Sequence, residues 1–398
     1  MKIPKSKLLR ITGDFTQSIL ASVIYTFARQ IVVFPLLAKQ LSDADYGTLL
    51  TIIGLVNVGT AIVGGTLNNV RIIQDSGYQK QGRLGDFLPL CAAGNAASLL
   101  FVLVLWYVFR FSALTALLLA AYILVFNLYQ YGSAYYRIAL DFKKNLLANA
   151  VVSTAYILAA LLLADPVLWP AIFLVGELAG LIYTQIATHF LGEPFCRTSL
   201  LAETSKKWGI LILTNLISNL LMYADRMILY PVLGATAVSY YSTASFFGKS
   251  AGVLMTPIAG VLLGYFSQKS FKASKKLFAL VNAASLACLS IFLAGCYVLA
   301  PWVTRLLYPS LYEASAPYIM LANLGAAISI AGNMANPMIL KCCSTRWVLV
   351  LQIIYGSVYL ASALYLLPIY GLLGFCWATI FANTVRLLAT YALGFWKF

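Results

Sequence analysis

Six ionisable side chains stand in stretches that are otherwise apolar: Arg29, Arg226, Lys249 and Arg386, with the acids Glu177 and Asp225. A cation held at the centre of a membrane helix costs about 2.5–3.5 kcal/mol, so four cost roughly 10–14 kcal/mol, comparable to the net stability of a whole protein. A water-filled cavity, pairing with acids or an anionic ligand must offset that cost. The two acids balance at most two cations, so an anionic ligand completes the charge. Arginine suits phosphate because its planar fork donates two parallel hydrogen bonds, whereas lysine acts as a mobile point charge. These four cations are therefore candidate substrate-binding residues, and Glu177 and Asp225 are candidate ion-coupling or gating residues. Arg386, about two turns from the polar C-terminal end, has snorkelling to the interface as its other reading. Glu177, in Gly176-Glu177-Leu178-Ala179, is flanked by small residues that permit close helix approach, and a buried carboxyl there is a candidate proton carrier.

The elements that carry these groups can be read from composition. Of 398 residues, 62% are hydrophobic and 10% charged, with a mean hydropathy of +0.87, which excludes an ordinary soluble domain. Apolar runs of about 20 residues predict twelve membrane helices near 15–38, 45–67, 87–109, 112–135, 146–164, 167–190, 208–232, 238–266, 277–299, 314–340, 347–367 and 371–395. The net charge of +15 does not point to nucleic acid, because the cations sort by side. With the N terminus inside, twenty of the 27 lie in cytoplasmic segments, Arg71 and Lys80 among them, and only Lys39, Arg110 and Arg305 lie outside. That asymmetry orients a multi-pass chain of the cytoplasmic membrane with both termini inside. The basic N terminus is not followed by a convincing cleavage site, so the first apolar run is expected to stay as a helix. The seven cysteines lack metal-ligand spacing and His189 is the single histidine, so no metal or other cofactor is expected.

The chain is also doubled. Ala28-Arg29-Gln30-Ile31-Val32-Val33-Phe34-Pro35-Leu36-Leu37 is answered 196 positions later by Ala224-Asp225-Arg226-Met227-Ile228-Leu229-Tyr230-Pro231-Val232-Leu233, and Tyr156-Ile157-Leu158-Ala159-Ala160-Leu161 by Tyr359-Leu360-Ala361-Ser362-Ala363-Leu364. The polar break at 192–207 then separates an N-terminal lobe, 1–191, from a C-terminal lobe, 208–398. Six helices in each lobe give both the same orientation, related by a pseudo-two-fold axis along the membrane normal. Adjacent helical residues point about 100° apart, so Asp225 needs a partner other than Arg226. The repeat sets Asp225 in the place of Arg29, and the two are expected to pair across the pseudo-axis. Pro35, Pro257 and Pro317, with Gly248 and Gly252 beside Lys249, are expected bending points.

Tyr223-Ala224-Asp225-Arg226-Met227-Ile228-Leu229, then Leu233-Gly234, Tyr240-Tyr241-Ser242-Thr243-Ala244 and Pro257, resembles the seventh and eighth helices of Wzx-type polysaccharide flippases. Leu41-Ser42-Asp43-Ala44-Asp45-Tyr46-Gly47, Asn69 with Arg71, and Leu311-Tyr312-Glu313-Ala314-Ser315-Ala316-Pro317 are similar to further parts of that pattern. The resemblance implies an all-α, two-lobed, twelve-helix fold of the multidrug, oligosaccharidyl-lipid and polysaccharide exporter superfamily, like that of MATE and MurJ proteins. It also implies a cargo, an undecaprenyl-diphosphate-linked oligosaccharide of O-antigen, lipopolysaccharide or capsule assembly, moved between leaflets by alternating access. A polysaccharide polymerase and a chain-length regulator are the protein partners it implies. Rival readings are a lipid II flippase, a multidrug extruder, and a membrane polymerase or ligase. An extruder of organic cations calls for an acidic cavity, and a polymerase or ligase for a large external loop; this chain shows neither.

Overall fold

The computed structural model describes residues 5–82, 84–163, 165–253, 255, 274–343 and 345–397, and among these it is helical with no strand. Among the described residues, nine helices are long and apolar enough to cross a membrane, or ten when Leu201–Met222 and Ala224–Leu233, bent by 55° at Tyr223, count as one broken span. We label them α1 (Thr16–Gln40), α2 (Asp43–Gln81), α3 (Phe87–Phe109), α4 (Ala113–Ile138), α5 (Phe142–Leu162), α6 (Pro166–Thr188), α7 (Leu201–Met222), α8 (Ala224–Leu233), α9 (Ala235–Ala244), α10 (Lys275–Leu307), α11 (Pro309–Ile339) and α12 (Val350–Lys397). Of the span expected at 238–266, residues 254 and 256–266, Pro257 among them, lie outside those described.

The two longest of these helices run well beyond one crossing. At 1.5 Å per residue the 48 residues of α12 would reach about 72 Å, more than twice the hydrocarbon thickness. The helix turns back on itself at Gly371, whose φ of +57° belongs to the left-handed region that glycine enters freely. The Ser362 hydroxyl consequently reaches the Ala378 carbonyl at 3.5 Å, where an unbroken helix would hold the two about 24 Å apart. α12 therefore holds the eleventh and twelfth expected helices. The other long helix, α2, does not end near residue 67 as its apolar run predicts but continues to Gln81. Its polar last turns, Gln74 to Gln81, have no apolar run to announce them.

By contact the chain forms two units, Met1–Leu41 with Leu49–Arg226, and Ser42–Thr48 with Met227–Phe398. Packing thus groups α7 with the N-terminal helices, although the repeat pairs it with α1. In the first unit α4 packs on α6, α6 on α5, α5 on α1 and α3 on α4. In the second, α10 and α11 pack together and α11 packs on α12, around a core of Phe278, Ala335, Met338, Ile339, Leu351 and Leu393. The opening turn of α2 belongs to this unit: Ser239 Oγ donates to the Asp43 carbonyl at 2.5 Å and Tyr240 OH to Asp43 Oδ2 at 2.9 Å.

Candidate functional site

α1 is not a plain α-helix where it carries its arginine. Pro35 offers no N–H and would crowd the carbonyl four residues back. Ahead of it the backbone widens into a π turn over Ala28–Val33, in which Phe34 N–H donates to the carbonyl of Arg29, five residues back. Such bulges recur at functional sites. Here the turn sets Arg29 half-buried among rings: its guanidinium carbon lies 5.4 Å from the Tyr25 centroid, 5.4 Å from Phe173 and 5.8 Å from Phe34. Each such contact contributes about 0.5–2 kcal/mol. Arg29 Nη1 also donates to Tyr25 OH at 3.0 Å.

Tyr25 in turn donates to Glu177 Oε1 at 3.1 Å, and Tyr156 OH donates to the same oxygen. Glu177 is fully buried, and its Oε2 has no hydrogen-bond partner among the described residues. Room for this arrangement comes from Gly176, where an added Cβ would run into the Tyr156 ring. The structure therefore links two expected site residues, Arg29 and Glu177, through a tyrosine that sequence reading did not single out. A tyrosine on a membrane helix looks like packing or interfacial anchoring, and only the i to i+4 spacing of Tyr25 and Arg29 hinted at a pair.

Arg226 and Asp225 open α8 just past the break at Tyr223. Asp225, 6% exposed, lies in the first turn, where the helix dipole favours a carboxylate. Arg226, 8% exposed, donates from Nη1 to the Leu50 carbonyl at 2.6 Å and lies 5.6 Å from the Tyr223 ring. Its Nε has no partner among the described residues. Arg29 lies within electrostatic reach of the same Tyr223.

The other two cations belong to the second unit. Lys249 Nζ sits 5.2 Å from the Tyr241 centroid, one residue after Gly248, whose N–H donates to Asn323 Oδ1 at 2.6 Å. Arg386 does not snorkel to the end of α12. Its Nη2 donates to Asn333 Oδ1 on α11 at 2.7 Å, and its guanidinium lies 5.1 Å from Tyr355. Tyr355 stacks on Tyr359, the repeat counterpart of Tyr156. Among the described residues, no ion pair includes Arg29, Arg226 or Arg386.

Sequence reading missed a further buried cation. Arg71, counted as a loop residue, lies on the extension of α2 and is 3% exposed, paired with Asp75 at 2.5 Å and with Glu193 at 3.3 Å. The Glu193 carboxylate also accepts from Tyr131 OH at 2.5 Å and from Tyr135 OH. Neither the true length of α2 nor this pairing leaves a mark in local hydropathy.

No family model matches the chain, and no curated protein matches it. Its fold does match solved structures. The lipid II flippase MurJ in an inward closed conformation superposes with a TM-score of 0.67 at 15% identity, covering 96% of this chain and 86% of that one. A multidrug resistance MATE transporter of the MOP superfamily gives a TM-score of 0.63 at 14% identity when inward-facing, covering 98% and 97%. An outward-facing structure of such a transporter gives 0.59 at 15% identity, covering 98% and 94%. The chain is an all-α, multi-pass membrane protein built on the fold of the MATE and MurJ transporters.

Proposed function

We propose that this protein is a flippase, moving undecaprenyl-diphosphate-linked oligosaccharide repeats from the cytoplasmic to the outer leaflet of the bacterial inner membrane by alternating access. The observation that carries the reading is the set of arginines without carboxylate partners among the described residues, Arg29, Arg226 and Arg386, in a transporter fold. Aromatic faces, hydroxyls and carbonyls hold these guanidiniums without a direct carboxylate contact, which favours a diphosphate and disfavours organic cations. Under this reading Arg29, Arg226, Lys249 and Arg386 contact the headgroup in the course of the cycle. Glu177, joined to Arg29 through Tyr25, ties the ion that drives the cycle to the state of Arg29. An Arg29–Asp225 pair would close one side of the cavity at one stage of transport. A polymerase and a chain-length regulator would receive the product.

Native mass spectrometry of the protein in mild detergent tests the reading. The expected result is a copurified lipid-diphosphate oligosaccharide whose occupancy drops at least tenfold in Arg29→Ala and Arg226→Ala. A lipid-linked sugar-peptide would instead favour lipid II as cargo. Unchanged surface polysaccharide in cells lacking the gene would overturn the assignment.

A further inference from the structure

The segment between α6 and α7 reads in the sequence as a polar linker, yet the first unit holds it in two buried sockets. In one, the Glu193 side chain, 5% exposed, takes Arg71, Tyr131 and Tyr135. In the other, Asp86, fully buried, accepts from the Thr198 N–H at 2.7 Å, the Thr198 hydroxyl at 2.5 Å and Tyr78 OH at 2.7 Å, while its own N–H donates to the Cys196 carbonyl at 2.9 Å. Between the sockets, residues 193–198 make no helix or strand.

The helix beyond this segment, α7, buries few side chains within the protein. Of its 22 residues, Thr204 alone is buried among those described. α7 meets α2 through polar contacts: Gln74 Nε2 to Glu203 at 3.2 Å, Tyr78 OH with Thr204 Oγ1 at 2.8 Å, and Trp208 Nε1 to Thr66 at 2.8 Å. Elements fixed by few apolar contacts open at low cost. α7 ends, moreover, at the 55° break. Two buried carboxylate sockets on a coil segment are far more than a tether requires.

We propose that residues 189–200 are a latch that keeps the cytoplasmic end of α7 on the first unit, and that transport requires its release. Glu193 and Asp86 are the two catches. The inference stands apart from the identity of the cargo. Hydrogen exchange with mass spectrometry on the full chain in lipid nanodiscs tests it without any substrate. In Glu193→Gln and Asp86→Asn, amides of 201–212 should exchange at least tenfold faster while those of 142–162 keep their rate.

A second arm retains both catches. A Cβ at Gly85 would lie 2.6 Å from Cys196 Sγ, so Gly85→Cys can be oxidised to a disulfide with the native thiol. That bond should slow exchange over 201–212, and reductant should restore it. Acceleration confined to 193–200, or no acceleration at all, would show a passive cover and overturn the latch. Should the catch variants loosen every helix, the disulfide decides: 201–212 unmoved by oxidation overturns the proposal.

Discussion

Glu177 presents one carboxylate oxygen to two tyrosine hydroxyls and keeps the other without a partner among the described residues. Removing an acceptor that serves two buried donors costs more than the net value of the bonds, because both hydroxyls are left dry; about 1–3 kcal/mol is at stake. Glu177→Ala should therefore lower the thermal midpoint of the detergent-solubilised protein by several degrees. Glu177→Gln, which retains an acceptor oxygen, should hold it nearly unchanged. The two variants should agree in function where they differ in stability. If Glu177 carries the driving ion, cargo flipping in Glu177→Gln proteoliposomes no longer responds to an imposed pH gradient, whereas a wild-type response would remove Glu177 from coupling. Tyr25→Phe tests the connection, since it leaves Glu177 in place and cuts its link to Arg29. It should flatten the same response while preserving the fold.

At the level of the helix, α5 and α6 approach closely where glycine replaces a side chain. A membrane gives helices little hydrophobic reason to associate, so close packing at small residues carries the contact. Gly176→Ala would press its methyl into the Tyr156 ring. The ring must shift away from Glu177 at a cost of about 1–3 kcal/mol, the usual range for overpacking. Thermal denaturation of Gly176→Ala should show that loss, and the same substitution made in a Tyr156→Ala background should cost less. Helix positions were legible from apolar runs because hydropathy reports burial in lipid directly. The Gly176-Glu177 pair was legible too, as an acid among small residues. Tyr25 and the extension of α2 were not. A hydroxyl at the tip of an aromatic ring barely alters hydropathy, and a polar helical turn in water reads like a loop, which placed Arg71 among the loop cations. Buried partners such as Glu193, 122 residues away, are set by tertiary packing alone.

For the whole molecule, parity links topology to the part of the fold that helices alone leave open. Counting the bent α7–α8 pair as one span and dividing α12 at Gly371 gives eleven crossings among the described helices. An odd number would put the two ends of the chain on opposite sides. If both ends lie in the cytoplasm, as the positive-inside asymmetry of the sequence leads one to expect, one further crossing is needed, and the helix that the sequence expects at 238–266 would supply it. Green fluorescent protein fused after Phe398 should consequently fluoresce, and alkaline phosphatase at the same point should be inactive. Fusions after Gly371 should reverse both readouts, because with Phe398 inside the hairpin of α12 would hold its turn on the external side. A dark fluorescent fusion at Phe398, with an active phosphatase, would mean that no crossing occurs between α9 and α10. The crossings from α10 onward would then be inverted relative to α3–α6, and a pseudo-two-fold axis along the membrane normal could not relate the two halves.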